Sequence, residues 1–240
     1  MEKKKLAITT RTHTNFEHIS NLTYPSIKEY AKKCNADFVK LTESVNHIDS
    51  DGKSHYKILN NYDTLEEYDR VVHLDTDVLI TKQTPNIFEL VPEDKVGVVY
   101  EDKGTRIKHR KEVMQNIQRT FGNIGWTQGY PNTGLIVASK QHRDIFKRID
   151  DKLYEGWGQD CAHIGYNIVK YGFKVYELDF RWNHMVCFAE PWNGNPFRFN
   201  SFIIHYAGSG VFDEHLFREG DRVSQIHHDI HNYKNLILGY

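Results

Sequence analysis

The sequence has few cysteines, no long apolar run and no excess charge of either sign, and each absence excludes a class of protein. Three cysteines among 240 residues, without a Cys-x-x-Cys pair, argue against a disulfide framework and a thiolate zinc site. Lys and Arg total 31 and Asp and Glu total 32, so the chain lacks the basic surplus of a nucleic-acid binder or a polybasic membrane binder. No apolar run approaches the roughly 18 residues that indicate a membrane-spanning helix.

The first residues, MEKKKLAITTRTH, are basic but lack the apolar stretch and small-residue cleavage site of a signal peptide. With 39% hydrophobic and 26% charged residues, the chain can build a globular core. We therefore expect a soluble, cytoplasmic protein without a nucleic-acid partner.

Short apolar runs rich in β-branched residues alternate with amphipathic segments. Near-continuous apolar runs predict strands covered on both faces, as in a mostly parallel α/β sheet. The predicted strands are LAITT (6–10), RVVHLD (70–75), KVGVVYE (95–101), TGLIVAS (133–139), FKVYEL (173–178) and SFIIHYA (201–207).

Helix signals lie between these runs. Pro25 suits a first helical position, which predicts a helix over 26–34. Further helices are predicted over 55–68, 105–121, 140–156 and 160–172, and residues 213–240 are predicted as a helical C-terminal flank. This alternation indicates one α/β domain over 1–240, with a central sheet flanked by helices.

The most informative segment is RVVHLDTDVLI (70–80), in which a buried strand ends in Asp75-Thr76-Asp77. Side chains two apart on an extended chain point the same way, and open α/β sheets bind ligands at the carboxyl ends of their strands. Paired carboxylates there favour a cation such as Mg²⁺ or Mn²⁺, completed by substrate phosphates. A second pair, Asp49 and Asp51, lies in a turn-forming polar run and is interpreted as a solvated loop.

A second polar strand end occurs in SFIIHYAGSG (201–210). His205 ends this strand, and Gly208 and Gly210 follow it. A histidine at such a position can bind a metal, while the N–H groups of a glycine-rich loop can face a phosphate. An imidazole beside carboxylates shifts the preference towards Mn²⁺.

Four segments occur in one order: Asp75-Thr76-Asp77, PNTGLIVAS (131–139), WGQDCAHIGYN (157–167) and HYAG (205–208). The set resembles the metal-dependent GT-A glycosyltransferases, most closely the glycogenin-like family 8 and the galactosyl/xylosyl family 34. The resemblance implies a Rossmann-like nucleotide-binding GT-A fold. It also implies transfer of a sugar from a UDP-sugar to a glycan or other hydroxyl acceptor, with Mn²⁺ (or Mg²⁺) and retention of anomeric configuration.

The resemblance also implies roles for individual residues. The metal ligands would be Asp75, Asp77 and His205. Contacts to the nucleotide would come from Thr9, Thr10, Arg11, Lys57, Asp75, Thr76 and Gly208. Asn132, Gly134 and Asp160 would contact the transferred sugar, with Asp160 and Gln159 as catalytic residues.

Two features depart from the family pattern. Gln159-Asp160 stands where the family has Asp-Gln, which leaves open which side chain approaches the anomeric carbon, and Asp160 also fits a helix N-cap. No lysine-containing run follows HYAG, so a phosphate-contacting lysine has no counterpart.

Other readings stay open. Trp157, Trp182 and Trp192 suit stacking on an acceptor sugar, although core packing is the commoner role of tryptophan. A catalytically silent nucleotide-sugar or glycan-binding module is one alternative function. A haloacid-dehalogenase-type phosphohydrolase is another, disfavoured by Leu79 at a motif position where those enzymes have Thr or Val.

Overall fold

The computed structural model describes residues 4–11, 16–41, 54–187, 197–208 and 221–240. Its strands are β1 (Leu6–Arg11), β2 (Asp37–Leu41), β3 (Arg70–Leu74), β4 (Val78–Ile80), β5 (Val96–Tyr100), β6 (Pro131–Ser139), β7 (Val175–Glu177), β8 (His184–Met185) and β9 (Ile203–His205). Its α-helices are α1 (Glu17–Lys33), α2 (Asn61–Glu67), α3 (Ile87–Leu90), α4 (Ile107–Phe121), α5 (Gln159–Lys170) and α6 (Arg222–Tyr233). The Asp49–Asp51 pair and Trp192 lie outside the described residues.

Six strands form the central sheet in the order β2-β1-β3-β6-β5-β7. Strand β1 pairs in parallel with β2 and β3, and β5 pairs in parallel with β7. Strand β6 runs antiparallel to both of its neighbours, β3 and β5. The mostly parallel α/β sheet predicted from the sequence is confirmed.

Both faces of this sheet are covered. Neighbouring residues of one strand, such as Val71 and Val72 in β3, enter different core clusters, because successive side chains of a strand point to opposite faces of the sheet. Residues of α1, including Ile27 and Tyr30, pack on one face. Ile164 of α5 packs on the other. Two-sided burial explains the near-continuous apolar runs of the sequence.

A second, three-stranded sheet has the order β4-β9-β8. Strand β4 follows Asp77 directly and pairs antiparallel with β9, with Val78 opposite His205. His205 therefore lies on a strand that pairs with β4, which follows the aspartates, and not with β3, which precedes them. This pairing brings two segments far apart in sequence to one place.

All six predicted strands are present, but three others were missed. Strand β2 (DFVKL) is partly exposed, and its two charged residues interrupt the apolar ones. Strands β4 and β8 have only three and two residues. Runs this short carry no readable periodicity, so only tertiary pairing defines them.

The start predicted for the first helix is wrong. Helix α1 begins at Glu17, and Pro25 lies inside it. Ile19, Thr23 and Tyr24, all before the proline, are buried. Packing of these residues outweighs the hydrogen bond that the proline cannot donate.

The helix predicted over 140–156 is also wrong in its second half. Residues Lys140–Phe146 form a 3-10 helix, and Ile149 and Lys152 then form a β-bridge around Asp150 and Asp151 at positive φ. The segment 55–68 forms a 3-10 helix, Ser54–Asn60, followed by α2. Helices α4 and α5 match their predictions within two residues, and the predicted flank contains α6.

Among the described residues, none of the helices combines the length and the apolar character needed to cross a membrane.

The pKa values of two buried histidines predict how the free energy of unfolding changes with pH. Burial lowers the pKa of His163 and of His184 to about 4 each, whereas an unfolded histidine has a pKa of about 6.5. Below that value the unfolded state binds a proton that the folded state does not, so the free energy of unfolding falls as pH decreases towards 4. Between pH 7 and pH 5, we expect each histidine to contribute a loss of about 2 kcal/mol.

Urea unfolding at pH 7 and pH 5 measures this effect. His163→Gln is expected to reduce the difference between the two pH values by about 2 kcal/mol, whatever its stability at pH 7. His227→Gln, which changes an exposed histidine, is the control and should keep the wild-type difference. An unchanged difference in His163→Gln would contradict the prediction.

Candidate functional site

A cavity of about 380 Å³ lies where β1 and β3 end. Arg11, the last residue of β1, lines it together with the turn Asp75-Thr76-Asp77 between β3 and β4. His205 and Gly208 line it from the end of β9, and Asp160 from the first turn of α5. The cavity therefore lies at the edge of the sheet that the sequence predicted as the ligand site.

Asp75, Asp77 and His205 converge in this cavity. One ligand atom from each lies within 4.8 Å of the others. His205 Nε2 is 3.5 Å from Asp75 Oδ2 and 3.3 Å from Asp77 Oδ1. Ligands about 2.1 Å from an octahedral ion lie about 3 to 4 Å apart, so these three residues fit a small divalent cation.

Backbone pairing fixes this convergence. Val78 pairs with His205, and the N–H of Tyr206 donates to the carbonyl of Asp77 at 3.0 Å. The N–H of Asp75 donates to the carbonyl of Gly134 at 3.1 Å. The Asp75–Asp77 turn is therefore hydrogen-bonded to β9 on one side and to β6 on the other.

Asn183 orients the His205 ring. Its Oδ1 lies 2.7 Å from His205 Nδ1, and its Nδ2 donates to Asn132 Oδ1 at 2.7 Å. The second bond fixes which way the Asn183 amide faces, so His205 Nδ1 must carry the proton. In the neutral form of the ring, Nε2 faces the two carboxylates with the lone pair that a metal needs. Burial favours this neutral form, but Asp77 and Asp75 outweigh it and raise the pKa of His205, so a metal ion would have to displace a proton from Nε2.

Gly134 provides the space for that ring. A Cβ at this position would lie 2.4 Å from His205 Cε1 and 2.5 Å from Nδ1, closer than carbon and nitrogen atoms can approach. The glycine of the sequence motif PNTG therefore packs against the metal-site histidine, and it does not line the cavity.

Arginines compensate the carboxylates of the site. Arg11 forms an ion pair with Asp75, and Arg222 Nη1 lies 2.7 Å from Asp77 Oδ2. Burial alone would raise the pKa of Asp75, but Arg11 and the neighbouring histidines hold it well below its usual range. Burial would also raise the pKa of Asp77, and His205 and Arg222 outweigh it and lower that pKa. Both carboxylates are therefore ionised and available to a cation.

Asp160 has a different environment. It accepts from Thr133 Oγ1 at 2.9 Å and from Arg11 Nη1 at 3.2 Å. Burial raises its pKa, with Arg11 only partly offsetting this effect. Gly158 is the N-cap of α5, so Asp160 is not the cap. Its carboxylate faces the cavity and is more basic than those of Asp75 and Asp77.

The outer wall of the cavity contains a fourth carboxylate with its own arginine. Glu101 accepts from Arg110 Nε at 2.6 Å and also from Asn132 Nδ2. The Arg110 guanidinium lies 4.4 Å from the ring centroid of Trp157, which is 56% exposed. This wall links the metal site to the surface through Asn132.

The predicted site residues fall into two groups. Those that line the cavity are Arg11, Asp75, Thr76, Asp77, Asn132, Asp160, His205 and Gly208. The remaining ones, Thr9, Thr10, Lys57, Gly134 and Gln159, are not among the lining residues. Thr9 is buried and donates to Asn61, which places it in the interior behind the site.

Several lining or supporting residues were not found from the sequence. Arg222 lies beyond the matched motifs, and Asn183 lies in a segment without a motif. His73, a buried polar residue inside the apolar strand β3 with Nε2 3.7 Å from Asp75 Oδ1, did have a signal in its unusual position. Glu101 follows β5 as Asp75 follows β3, so the same argument from strand ends would have identified it.

The support of His205 by Asn183 predicts a change in metal affinity. Asn183→Ala removes the acceptor for Nδ1–H and lets the ring turn, so affinity for Mn²⁺ should fall about 10- to 100-fold. Calorimetric titration of Mn²⁺ without nucleotide measures this directly. Asn123→Ala, an exposed asparagine outside the cavity, should match the wild type. Wild-type affinity in a folded Asn183→Ala protein would refute the role of this hydrogen bond.

Comparisons with known proteins agree with this geometry at the level of the fold. No family model matches the chain, and neither does any curated protein. A glycosyltransferase involved in the glycosylation of the major capsid of PBCV-1 aligns over 92% of this chain and 99% of its own, with a TM-score of 0.56 and 12% identity.

Two further solved structures are similar. The apo structure of the bifunctional glycosyltransferase WbbM aligns over 97% of this chain and 50% of its own, with a TM-score of 0.63 and 17% identity. The galactosyltransferase LgtC, solved with donor and acceptor sugar analogues, aligns over 92% of this chain and 94% of its own, with a TM-score of 0.54 and 16% identity. The chain therefore has the GT-A fold that its motifs predicted.

Proposed function

We propose that this protein is a glycosyltransferase that moves a sugar from a nucleotide sugar, a UDP-sugar, to a hydroxyl group of a glycan acceptor. The observation that carries the proposal is the convergence of Asp75, Asp77 and His205 in the cavity of a GT-A fold. The order of sequence motifs, which resembles families 8 and 34, supports the donor class and retention of anomeric configuration.

In this proposal, Asp75, Asp77 and His205 hold a divalent cation, Mn²⁺ in preference to Mg²⁺. A carboxylate pair with an imidazole favours Mn²⁺ because nitrogen is a softer ligand than oxygen. When bound, such an ion would stabilise the negative charge of a departing nucleoside diphosphate. The protein contributes a preorganised ligand set, since the pairing of β4 with β9 positions the backbone and Asn183 orients the His205 ring.

Arg11 and Thr76 are the best-placed contacts for the nucleotide. Thr76 Oγ1 donates to the carbonyl of Arg11 at 2.8 Å, so the two residues form one surface of the cavity. Thr9, Thr10 and Lys57 are buried away from this surface, and we assign them to supporting it. Gly208 and Arg222, which donates to the Gly208 carbonyl, border the metal site and suit a diphosphate.

Asn132 and Asp160 suit the transferred sugar. Asn132 Oδ1 already accepts from Gly134 N and from Asn183 Nδ2, and one amide hydrogen is donated to Glu101. One amide hydrogen thus remains for a sugar hydroxyl. Asp160 would stabilise positive charge developing at the anomeric carbon, which is a more direct role than that of Gln159, outside the lining of the cavity.

If Asp75 and Asp77 hold the cation, replacing either of them should reduce sugar transfer. Asp77→Ala and Asp75→Ala should each reduce release of UDP from a panel of UDP-sugars with acceptors by about 10²- to 10³-fold, because a preorganised charge is lost. Asp144→Ala, which removes a carboxylate paired with Lys147 outside the cavity, is the matched control and should retain activity. Wild-type turnover in either metal-site variant would contradict the proposed role of these aspartates in sugar transfer.

Thermal stability distinguishes the alternatives. UDP should raise the melting temperature of the wild type only when Mn²⁺ is present, and Asp77→Ala should lose this increase. Stabilisation without turnover of any UDP-sugar would favour the silent binding module. Release of phosphate from simple phosphate esters would favour the phosphohydrolase.

A further inference from the structure

A second groove adjoins the cavity at Trp157. It has a volume of about 710 Å³ and is lined by the second half of α4 and by residues 148–157. Trp157 lines both this groove and the site cavity, so it stands where the two meet. Both volumes fall within the range of about 300–1,000 Å³ typical of ligand sites.

Trp157 is held rigidly although it is exposed. At 56% it is the most exposed of the large hydrophobic side chains in the described part of the chain. Arg110 lies against its ring, and the His109 ring meets it edge-on at 4.4 Å, with an interplanar angle of 83°. Arg110 itself is fixed by Glu101. An exposed ring fixed in this way can bind a ligand without first losing conformational freedom.

The backbone on either side of the ring is fixed as well. A Cβ at Gly156 would lie 2.1 Å from the Tyr154 hydroxyl, and one at Gly158 would lie 2.1 Å from the Tyr130 hydroxyl. Gly158 also has a φ of 81°, which favours glycine. The two glycines therefore set the path of the chain that presents Trp157 at the junction.

The lining of the groove indicates the chemistry of its occupant. Its charges balance, with two basic and two acidic side chains, which disfavours a nucleic acid or another highly charged polymer. Amide and hydroxyl groups and three aromatic rings lie among them. The polar and aromatic lining residues are Asn116, Thr120, Phe121, Arg148, Asp151, Lys152, Tyr154, Glu155 and Trp157. Of the three rings, only that of Trp157 is exposed. Polar groups beside one exposed ring suit a neutral carbohydrate, whose hydroxyls form hydrogen bonds and whose C–H face stacks on a ring.

We propose that this groove binds a neutral oligosaccharide acceptor, with Trp157 stacking on a sugar ring next to the one that reacts. The proposal rests on the proposed glycosyltransferase function, because the junction with the cavity at Trp157 is what makes the groove an acceptor site. The acceptor would then be an extended glycan rather than a single sugar.

Binding to an array of neutral glucose, galactose, mannose and xylose oligomers, from one to six units, tests this proposal. The wild type should bind one series with affinity that rises with length. Trp157→Ala should weaken that binding about tenfold, and Trp157→Phe should restore most of it, because a ring face is what stacks. Tyr171→Ala, which changes an exposed aromatic residue outside the groove, is the matched control.

The possible results separate this proposal from the function on which it rests. Binding to no oligomer, binding independent of length, or equal binding by Trp157→Ala overturns the groove assignment. If the wild type is still stabilised by UDP and Mn²⁺ and turns over donors, the transferase function survives that outcome. Length-dependent, Trp157-dependent binding without any UDP response instead supports a glycan groove and contradicts the transferase.

Discussion

The antiparallel pairing of β4 with β9 determines the chemistry available to this chain. Two aspartates in one turn form a weak cation site, because each must be held against the repulsion of the other. The pairing of Val78 with His205 adds a nitrogen ligand from a segment about 130 residues further along the chain. Since the register of the pair fixes the position of His205, a shift by one residue would turn the imidazole to the other face and remove it from the site.

Charge compensation is the second constraint on the site. Four carboxylates line one cavity, and each pairs with an arginine: Asp75 and Asp160 with Arg11, Asp77 with Arg222, and Glu101 with Arg110. Buried carboxylates at this density require nearby cations, because burial strongly disfavours unpaired charge. A divalent ion at Asp75 and Asp77 would add to this balance, and would share Asp77 with Arg222, whose side chain is 25% exposed.

The sequence was sufficient for the fold and for bringing attention to the candidate metal-binding triad, because both depend on strong local patterns. Buried strands appear as apolar runs, and the aspartates directly follow one of them. The helix start at Pro25 was wrong because tertiary packing of Ile19 and Tyr24 outweighs a local signal. Arg222 and Asn183 could not be predicted, since nothing in their neighbours in sequence indicates that they will meet Asp77 and His205.

Two motif residues have packing roles that the sequence does not reveal. The glycine of PNTG is predicted to contact the sugar, and in the structure its lack of a side chain also makes room for the His205 ring. Thr9 follows the pattern of a nucleotide contact, yet its hydroxyl donates to Asn61 in the interior. In both cases the structure shows a packing partner that the motif does not name, and the contact with the donor stays a prediction.

Asn132 shows how closely the parts of the site depend on one another. Its amide bonds to Glu101 on the side of Trp157 and to Asn183 on the side of His205. A single hydrogen-bonded series thus connects the surface groove with the metal ligand, through Arg110, Glu101, Asn132 and Asn183. Because the series lies in a largely buried wall where each broken bond would leave an unpaired polar group, its members hold one another in place. The position of the Trp157 indole at the groove and the position of the His205 imidazole beside the two aspartates are therefore maintained by the same set of bonds.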